Sequence, residues 1–291
     1  ERINIEEYRA WTEAPTGIGK LTVGIVGGGL AGLFSARLLN DLGHHVIVFD
    51  KGQRASGRLS DRRAGDGTPF QLGTTKLHAW PKWAKRYVED WIERGFLDAD
   101  GETPVNTLPP LLEYLGTGLD IRQNHTVEDV VEEVNGVFLR ITSPNGPTKE
   151  HFDHVFVAVP LEQSRSLVRS SDIEVLGRSE SCWVAWGPCP ADITEAPEGW
   201  NLTRRGLDGG TLEVRIDAAN SDAYSDRSLP SMAHHVATTL NVEPEGWAAH
   251  FWRFSRPIEG PNHVIHQGPI TLIGDAFGRP IGTAGAALDS A

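Results

Sequence analysis

Leu21-Thr-Val-Gly-Ile-Val26-Gly27-Gly28-Gly29-Leu30-Ala31-Gly32, then an apolar helical pattern to Leu42 and the run Val46-Ile-Val-Phe49-Asp50, decides the fold of this 291-residue chain. A short apolar run stopped by glycines reads as a buried strand, the i, i+3, i+4 pattern after it as a helix, and the second run as another buried strand. Strand, helix and strand within about thirty residues make one βαβ unit. In that context Gly27-x-Gly29-x-x-Gly32 has a physical meaning. The first glycine permits the tight turn, the second lets a pyrophosphate approach the backbone, and the third lets helix and strand pack closely. Leu30 and Ala31 open the helix, whose free amides and positive dipole end favour an anion. Asp50 ends the second strand, where a carboxylate accepts hydrogen bonds from an adenosine ribose. The expected fold class is α/β, with a Rossmann-like dinucleotide-binding domain.

Beyond Asp50 the chain becomes basic, with Lys51, Arg54, Gly57-Arg58 and Arg62-Arg63. A guanidinium here pairs with a diphosphate if small residues let it approach; alone, that reading and a solvated basic loop weigh equally, and the βαβ unit tips the balance toward phosphate. Pro81 to Gly95 reads as a helix with Trp83, Tyr87 and Trp91 along one stripe. Short strands are expected at Leu119–Arg122, Thr126–Val131 and Val137–Ile141, the last two joined at Asn135-Gly136, and a buried strand at His154–Val159 leads to a helix through Val168. From 178 to 258 short strands rich in Trp, Gly and Pro predict an antiparallel sheet with one helix at Pro230–Leu240. Ile270-Thr-Leu-Ile-Gly-Asp275 is a last buried strand, followed by a small-residue helix from Thr283. The dinucleotide domain is therefore split: 21–75, 119–168 and 263–291, with 76–118 and 169–262 as a substrate domain and 1–20 as an N-terminal extension carrying a short helix.

Composition narrows the function. With 27 Lys and Arg against 39 Asp and Glu the net charge is −12, which argues against nucleic acid or an anionic membrane as partner. No apolar run approaches the roughly 20 residues of a membrane span. The acidic start lacks the basic and apolar regions of a secretory signal. Cys182 and Cys189 alone fit a reducing compartment, so the cytoplasm is the expected location. The adjacent pairs His44-His45 and His234-His235, with His263 and His266, point their rings in different directions, and no metal site is expected. Gly-x-Ser-x-Gly does not occur, and neither cysteine has an evident base, so covalent hydrolysis has no support.

Gly27 to Gly32, Asp50, Gly57-Arg58, Val127, Val157-Ala-Val-Pro160 and Ile273-Gly-Asp275 stand in the order found in FAD-dependent amine oxidases, which the chain resembles. Arg62-Arg63, Phe70-Gln-Leu-Gly73 and Phe251-Trp252-Arg253-Phe254-Ser255 bring it nearest to the renalase-like branch. The resemblance covers roughly 21–288. It implies non-covalent FAD, with Gly27, Gly29 and Gly32 on the diphosphate, Asp50 at the adenosine ribose, Arg58 on the diphosphate or its loop, and Lys51 and Gly57 among the cofactor-binding residues. It further implies the Val127 backbone at the adenine, Gly274-Asp275 at the ribityl chain, and amides at Gly285 and Ala286 aimed at the flavin pyrimidine. One departure stands out: Gly73-Thr74-Thr75 replaces a Gly-Ala-Gln type run on the segment that approaches the flavin, which leaves the substrate open.

The implied reaction is hydride transfer from a small amine or dihydronicotinamide-type substrate to flavin, with dioxygen as acceptor and hydrogen peroxide as product. Trp252 and Arg253 are the candidate catalytic residues by position. A biosynthetic desaturase on the same scaffold and a non-catalytic FAD- or nucleotide-binding relative are the alternatives.

Overall fold

The computed structural model describes residues 19–168, 177–189, 193, 195–207 and 209–291. The helix expected within 1–20 lies outside them. In chain order the strands are β1 (Thr22–Val26), β2 (His45–Phe49), β3 (Asp61–Arg63), β4 (Pro69–Gln71), β5 (Asp120–Arg122), β6 (Thr126–Glu133), β7 (Gly136–Ser143) and β8 (Gly146–Phe152). They continue with β9 (His154–Val157), β10 (Arg178–Pro188), β11 (Trp200–Arg205), β12 (Thr211–Ile216), β13 (Ala248–Glu259), β14 (Ile265–Gln267) and β15 (Ile270–Leu272). The α-helices are α1 (Leu30–Asp41), α2 (Lys85–Glu93), α3 (Pro109–Leu115), α4 (Leu161–Leu167), α5 (Ala218–Ala223), α6 (Leu229–Thr239) and α7 (Ala284–Asp289).

The central sheet runs β14-β15-β9-β1-β2-β5, parallel from β15 to β5 with antiparallel β14 at one edge. Strands covered on both faces must be apolar throughout, which is why β1 reads Thr-Val-Gly-Ile-Val and β2 His-Val-Ile-Val-Phe. The sequence-predicted βαβ unit and the late return of Ile270 to the same sheet are both observed. β6, β7 and β8 form a separate meander, and its Phe152 ring packs where a Cβ on Gly24 would stand.

The aromatic stripe of α2 and the 3-10 turn Lys82–Ala84 before it meets Phe34 of α1, with Tyr87 edge-on at 5.0 Å, Trp83 of the turn at 6.0 Å and Trp91 edge-on at 6.4 Å. Phe34 and Trp91 are both fully buried, and each contributes on the order of 2–3 kcal/mol by area. This packing corrects one domain boundary. Leu77, Val88, Trp91, Leu97 and the α3 leucines share one core with β1 and α1, so 76–118 belongs with the dinucleotide fold and not with the substrate half.

The second sheet, β11-β12-β10-β13, is antiparallel throughout, as its short alternating runs predict. One face carries Trp183, Ala185, Leu212, Val214 and Ile216 under α6; the other turns toward the β3–β4 hairpin. β8, α3 and α5 escape the sequence reading: β8 is polar with an early proline, and both helices span fewer than eight residues, too few for a period to register.

Candidate functional site

β1, β2 and β9 end level with one another, Val26 standing beside Phe49 and Val157, so the loops at 27–32, 50–57 and 158–160 converge at the carboxyl edge of the sheet. The chain turns there because Gly27 N–H donates to Phe49 O at 2.8 Å and Ala158 N–H to Val26 O at 2.8 Å. Gly27 has φ +106° and a Cβ on it would lie 2.5 Å from Ala158 O, while one on Gly32 would collide with the Gly27 carbonyl oxygen. These two glycines are demanded by the fold itself.

Gly29 differs from both. Its φ of −83° suits any residue, and a Cβ there would meet nothing within 4 Å. Packing does not require glycine at this point, yet the position fronts the first turn of α1, where Leu30 and Ala31 present amides and no side chain caps the helix. Gly57, at φ +49°, brings the next loop against it: a Cβ there would be 3.2 Å from Gly29 Cα. The space at Gly29 is thus open at the uncapped amino end of α1.

The Asp50 carboxylate is held by backbone amides. Oδ2 accepts Gly28 N–H at 2.7 Å, Oδ1 accepts Gly52 N–H at 2.7 Å, and its carbonyl accepts His125 N–H at 3.0 Å. Each carboxylate oxygen retains capacity for a ribose hydroxyl. Val127, two residues beyond His125, is buried, and Lys51 is exposed beside Asp50.

The structure brings Arg58 and Asp275 together across the chain. Two guanidinium N–H groups donate to the carboxylate at 2.7 and 2.8 Å, and a third reaches Ser255 O of β13 at 3.1 Å. Arg58 O in turn accepts Thr74 N–H at 2.8 Å, and a Cβ on Gly73 would collide with it, so the Gly73-Thr74-Thr75 segment is locked onto the cradle formed by the 27–32 turn and the 50–58 loop. Gly274 fits its turn at φ +130° and donates to Ser290 Oγ at 2.8 Å.

The amides expected to face the flavin pyrimidine have partners within the chain. Gly285 N–H donates to His78 O at 3.0 Å and Ala286 N–H to Thr283 Oγ1 at 3.0 Å. A side chain on Gly285 would collide with the carbonyl of Ala79, itself at φ +64°. The glycine at 285 is thus explained by packing against 78–80.

The second sheet supplies the other wall. Its register puts Val184 opposite Arg215 and His250, Cys182 opposite Trp252, and Trp186 opposite Glu213, so these side chains share one face, against Phe70 and Leu72 of the hairpin. Trp186 stands edge-on to Phe70 at 6.3 Å, and His250 edge-on to Trp252 at 4.2 Å. Burial, with Arg62 nearby, pushes His250 down to about 4, so its ring is neutral at pH 7. Burial also raises the Cys182 thiol, which keeps it protonated and unreactive. Trp252 Nε1–H is buried with no partner among the described residues. Glu213, fully buried, is held by Arg205 Nε and Arg215 Nε at 2.5 Å each, and Arg215 Nη2 donates to Gln71 O at 3.0 Å and Leu72 O at 2.8 Å. That triad ties the sheet to the segment leading into Gly73.

Of the two residues expected at the catalytic position, Trp252 lies on this face. Arg253 does not: the two-residue period of β13 turns it to the opposite face, exposed, over the Phe251 ring at 5.7 Å. The sequence reading missed His250, Glu213 and Arg215. The same two-residue period, applied to 211–216 and 248–254, groups them with Trp252.

Residues 25–91 match the NAD(P)-binding Rossmann-like domain family. Among solved structures, the chain is similar to BexE, studied for oxidation during BE-7585A biosynthesis, at 16% identity and a TM-score of 0.57, over 89% of this chain and 57% of that one. This chain therefore spans little more than half the length of BexE. Tetracycline destructase Tet(55) follows at 17% identity and a TM-score of 0.58, over 91% of this chain and 77% of that one. A protein of Exiguobacterium sp. 255-15 with a provisional protoporphyrinogen oxidase name gives a TM-score of 0.63 at 12% identity, over 94% of this chain and 98% of that one. The shared architecture is a mixed α/β fold in which a Rossmann-like dinucleotide-binding domain carries a separate antiparallel sheet.

Proposed function

We propose that this chain is an FAD-dependent oxidoreductase that takes a hydride from a small amine or dihydronicotinamide-type substrate, with dioxygen as acceptor. The observation that carries the reading is Gly29, a glycine the packing does not require, at the helix terminus where a dinucleotide's diphosphate belongs. Gly27, Gly29, Gly32, Leu30 and Ala31 would hold the diphosphate, and Asp50 the adenosine ribose. Asp275, carried from the far end of the chain to the Arg58 loop, is the acceptor a ribityl hydroxyl needs, which favours FAD over a nicotinamide dinucleotide in this seat. When bound, FAD supplies a hydride acceptor that passes two electrons on, giving hydrogen peroxide where dioxygen takes them.

The chain's own residues position and exclude. Arg58 keeps Nε–H and one Nη2–H beyond its three bonds to Asp275 and Ser255, enough to reach a phosphate oxygen without releasing the pair. The Trp186, Trp252 and Phe70 rings would line the substrate's path and keep water from it. Trp252 Nε1–H offers a donor, and neutral His250 offers a lone pair that would accept a hydrogen bond from an amine N–H.

The test is the visible spectrum of the purified protein, repeated on the supernatant after acid precipitation. Two oxidised-flavin bands that pass into the supernatant are the expected result, followed by anaerobic bleaching with amines or reduced nicotinamides and peroxide on readmitting air. A colourless protein that takes up no added FAD overturns the reading.

A further inference from the structure

The basic stretch after Asp50 divides between two places. Arg58 joins the cradle, whereas Arg54, Arg62 and Arg63 line a separate cleft of about 680 Å³ between the β3–β4 hairpin and α3, with Asp61, Thr107 and Glu113 in its walls. No glycine of the cradle and neither member of the Arg58–Asp275 pair lines it. We infer that this cleft is a binding site for a small molecule carrying a phosphate monoester, distinct from the dinucleotide seat.

The charges of the cleft point to that class. From Lys51 to Arg63 stand five basic residues and one acid, in a chain whose net charge is −12. Arg54 bridges Asp61 at 3.2 Å and Glu113 at 3.0 Å. Asp61 is fixed by a second bond, from Thr107 Oγ1 at 3.1 Å, but Glu113 is an exposed side chain with Arg54 as its ion-pair partner, and it can swing away. Arg62 and Arg63 form no ion pair among the described residues; they donate to the carbonyls of Asp61 at 2.7 Å and Gly67 at 2.9 Å. Arg62 also lies over the Trp186 ring at 5.7 Å, which holds the guanidinium in place without neutralising it. With Glu113 displaced, three arginines and one carboxylate line the cleft, and the resulting net charge of +2 matches a phosphate dianion. Guanidinia take phosphate oxygens in bidentate pairs that neutral carbonyls do not provide.

The experiment is calorimetric titration of the protein at low ionic strength with adenosine 2′-phosphate, adenosine and inorganic phosphate, with and without saturating FAD. The expected result is saturable binding of adenosine 2′-phosphate at least about tenfold tighter than adenosine and unchanged by FAD. The double variant Arg62→Gln/Arg63→Gln should lose at least about tenfold in affinity with its urea midpoint unchanged, since both side chains are exposed. Glu113→Gln should bind a few-fold tighter. Inorganic phosphate binding as tightly as the nucleotide, and weakened by the same double variant, supports the site and makes free phosphate its occupant. Equal binding of adenosine and its phosphate, displacement by FAD, or an unaffected double variant overturns the inference.

Discussion

The cradle at the end of β1 and the inward face of the second sheet are built by opposite means. In the cradle the backbone does the work: Gly27 and Gly32 leave no room for a Cβ, Gly29 opens onto free space, and the polar groups at the helix end are amides. On the sheet face the backbone is an ordinary antiparallel ladder, and chemistry rests on which side chains the two-residue register turns inward. A substitution in the cradle therefore acts through whether its Cβ meets the chain or the ligand. One on the sheet acts through what its side chain was paired with.

The sharpest way to break this comparison is to substitute two glycines of the same motif. Gly29→Asp should fold, because the position has ordinary φ and aspartate is a favoured N-cap, yet purify without flavin, since its carboxylate would stand against the diphosphate. Gly32→Ala should instead cost about 3 kcal/mol of stability, read from the urea midpoint, because its methyl would collide with the Gly27 carbonyl. Stoichiometric FAD in Gly29→Asp would remove the diphosphate seat from the cradle.

On the sheet, Glu213→Gln should cost on the order of 2–3 kcal/mol, because Arg205 and Arg215 lose the charge that compensates them. A urea midpoint within error of wild type would mean that solvent already compensates the two arginines. Asp275→Ala tests the join between the regions: FAD affinity measured by fluorescence quenching should fall by about 1–3 kcal/mol. An unchanged affinity would leave Asp275 as the partner of Arg58 alone.

The smallest effect concerns pH. The folded state holds His250 near 4 against about 6.5 for a free imidazole, so the unfolded chain binds the proton more readily. His250 thus favours the folded state fully above pH 6.5, and that contribution is lost as pH falls toward 4. His154 and His235 are also pushed down by burial, so the part due to His250 is the difference between wild type and His250→Gln across urea midpoints from pH 7 to pH 4. Parallel curves would mean that the His250 ring is solvated and holds its proton as readily in the folded state as in the unfolded one.

Much of this was legible in the residues. The βαβ unit, the split return at Ile270 and the antiparallel second sheet follow from periodicity and glycine spacing, because buried parallel strands must be apolar throughout and half-covered antiparallel ones must alternate. Gly27, Gly29, Gly32 and Asp50 could be read for the same reason: a local motif closes on itself within one supersecondary unit, and its partners are near in sequence.

Only the tertiary structure decided what depends on distant partners. It separated Gly29 from its neighbours, since the three glycines look alike until Ala158 packs against one and nothing against another. It paired Arg58 with Asp275 and sent Arg54, Arg62 and Arg63 to a different cleft. It engaged Gly285 N–H with His78, and moved 76–118 into the dinucleotide domain through Trp91 and Phe34. Arg253 fell away from the site and His250 entered it because a strand's register, set by the strands beside it, determines which side chains share a face.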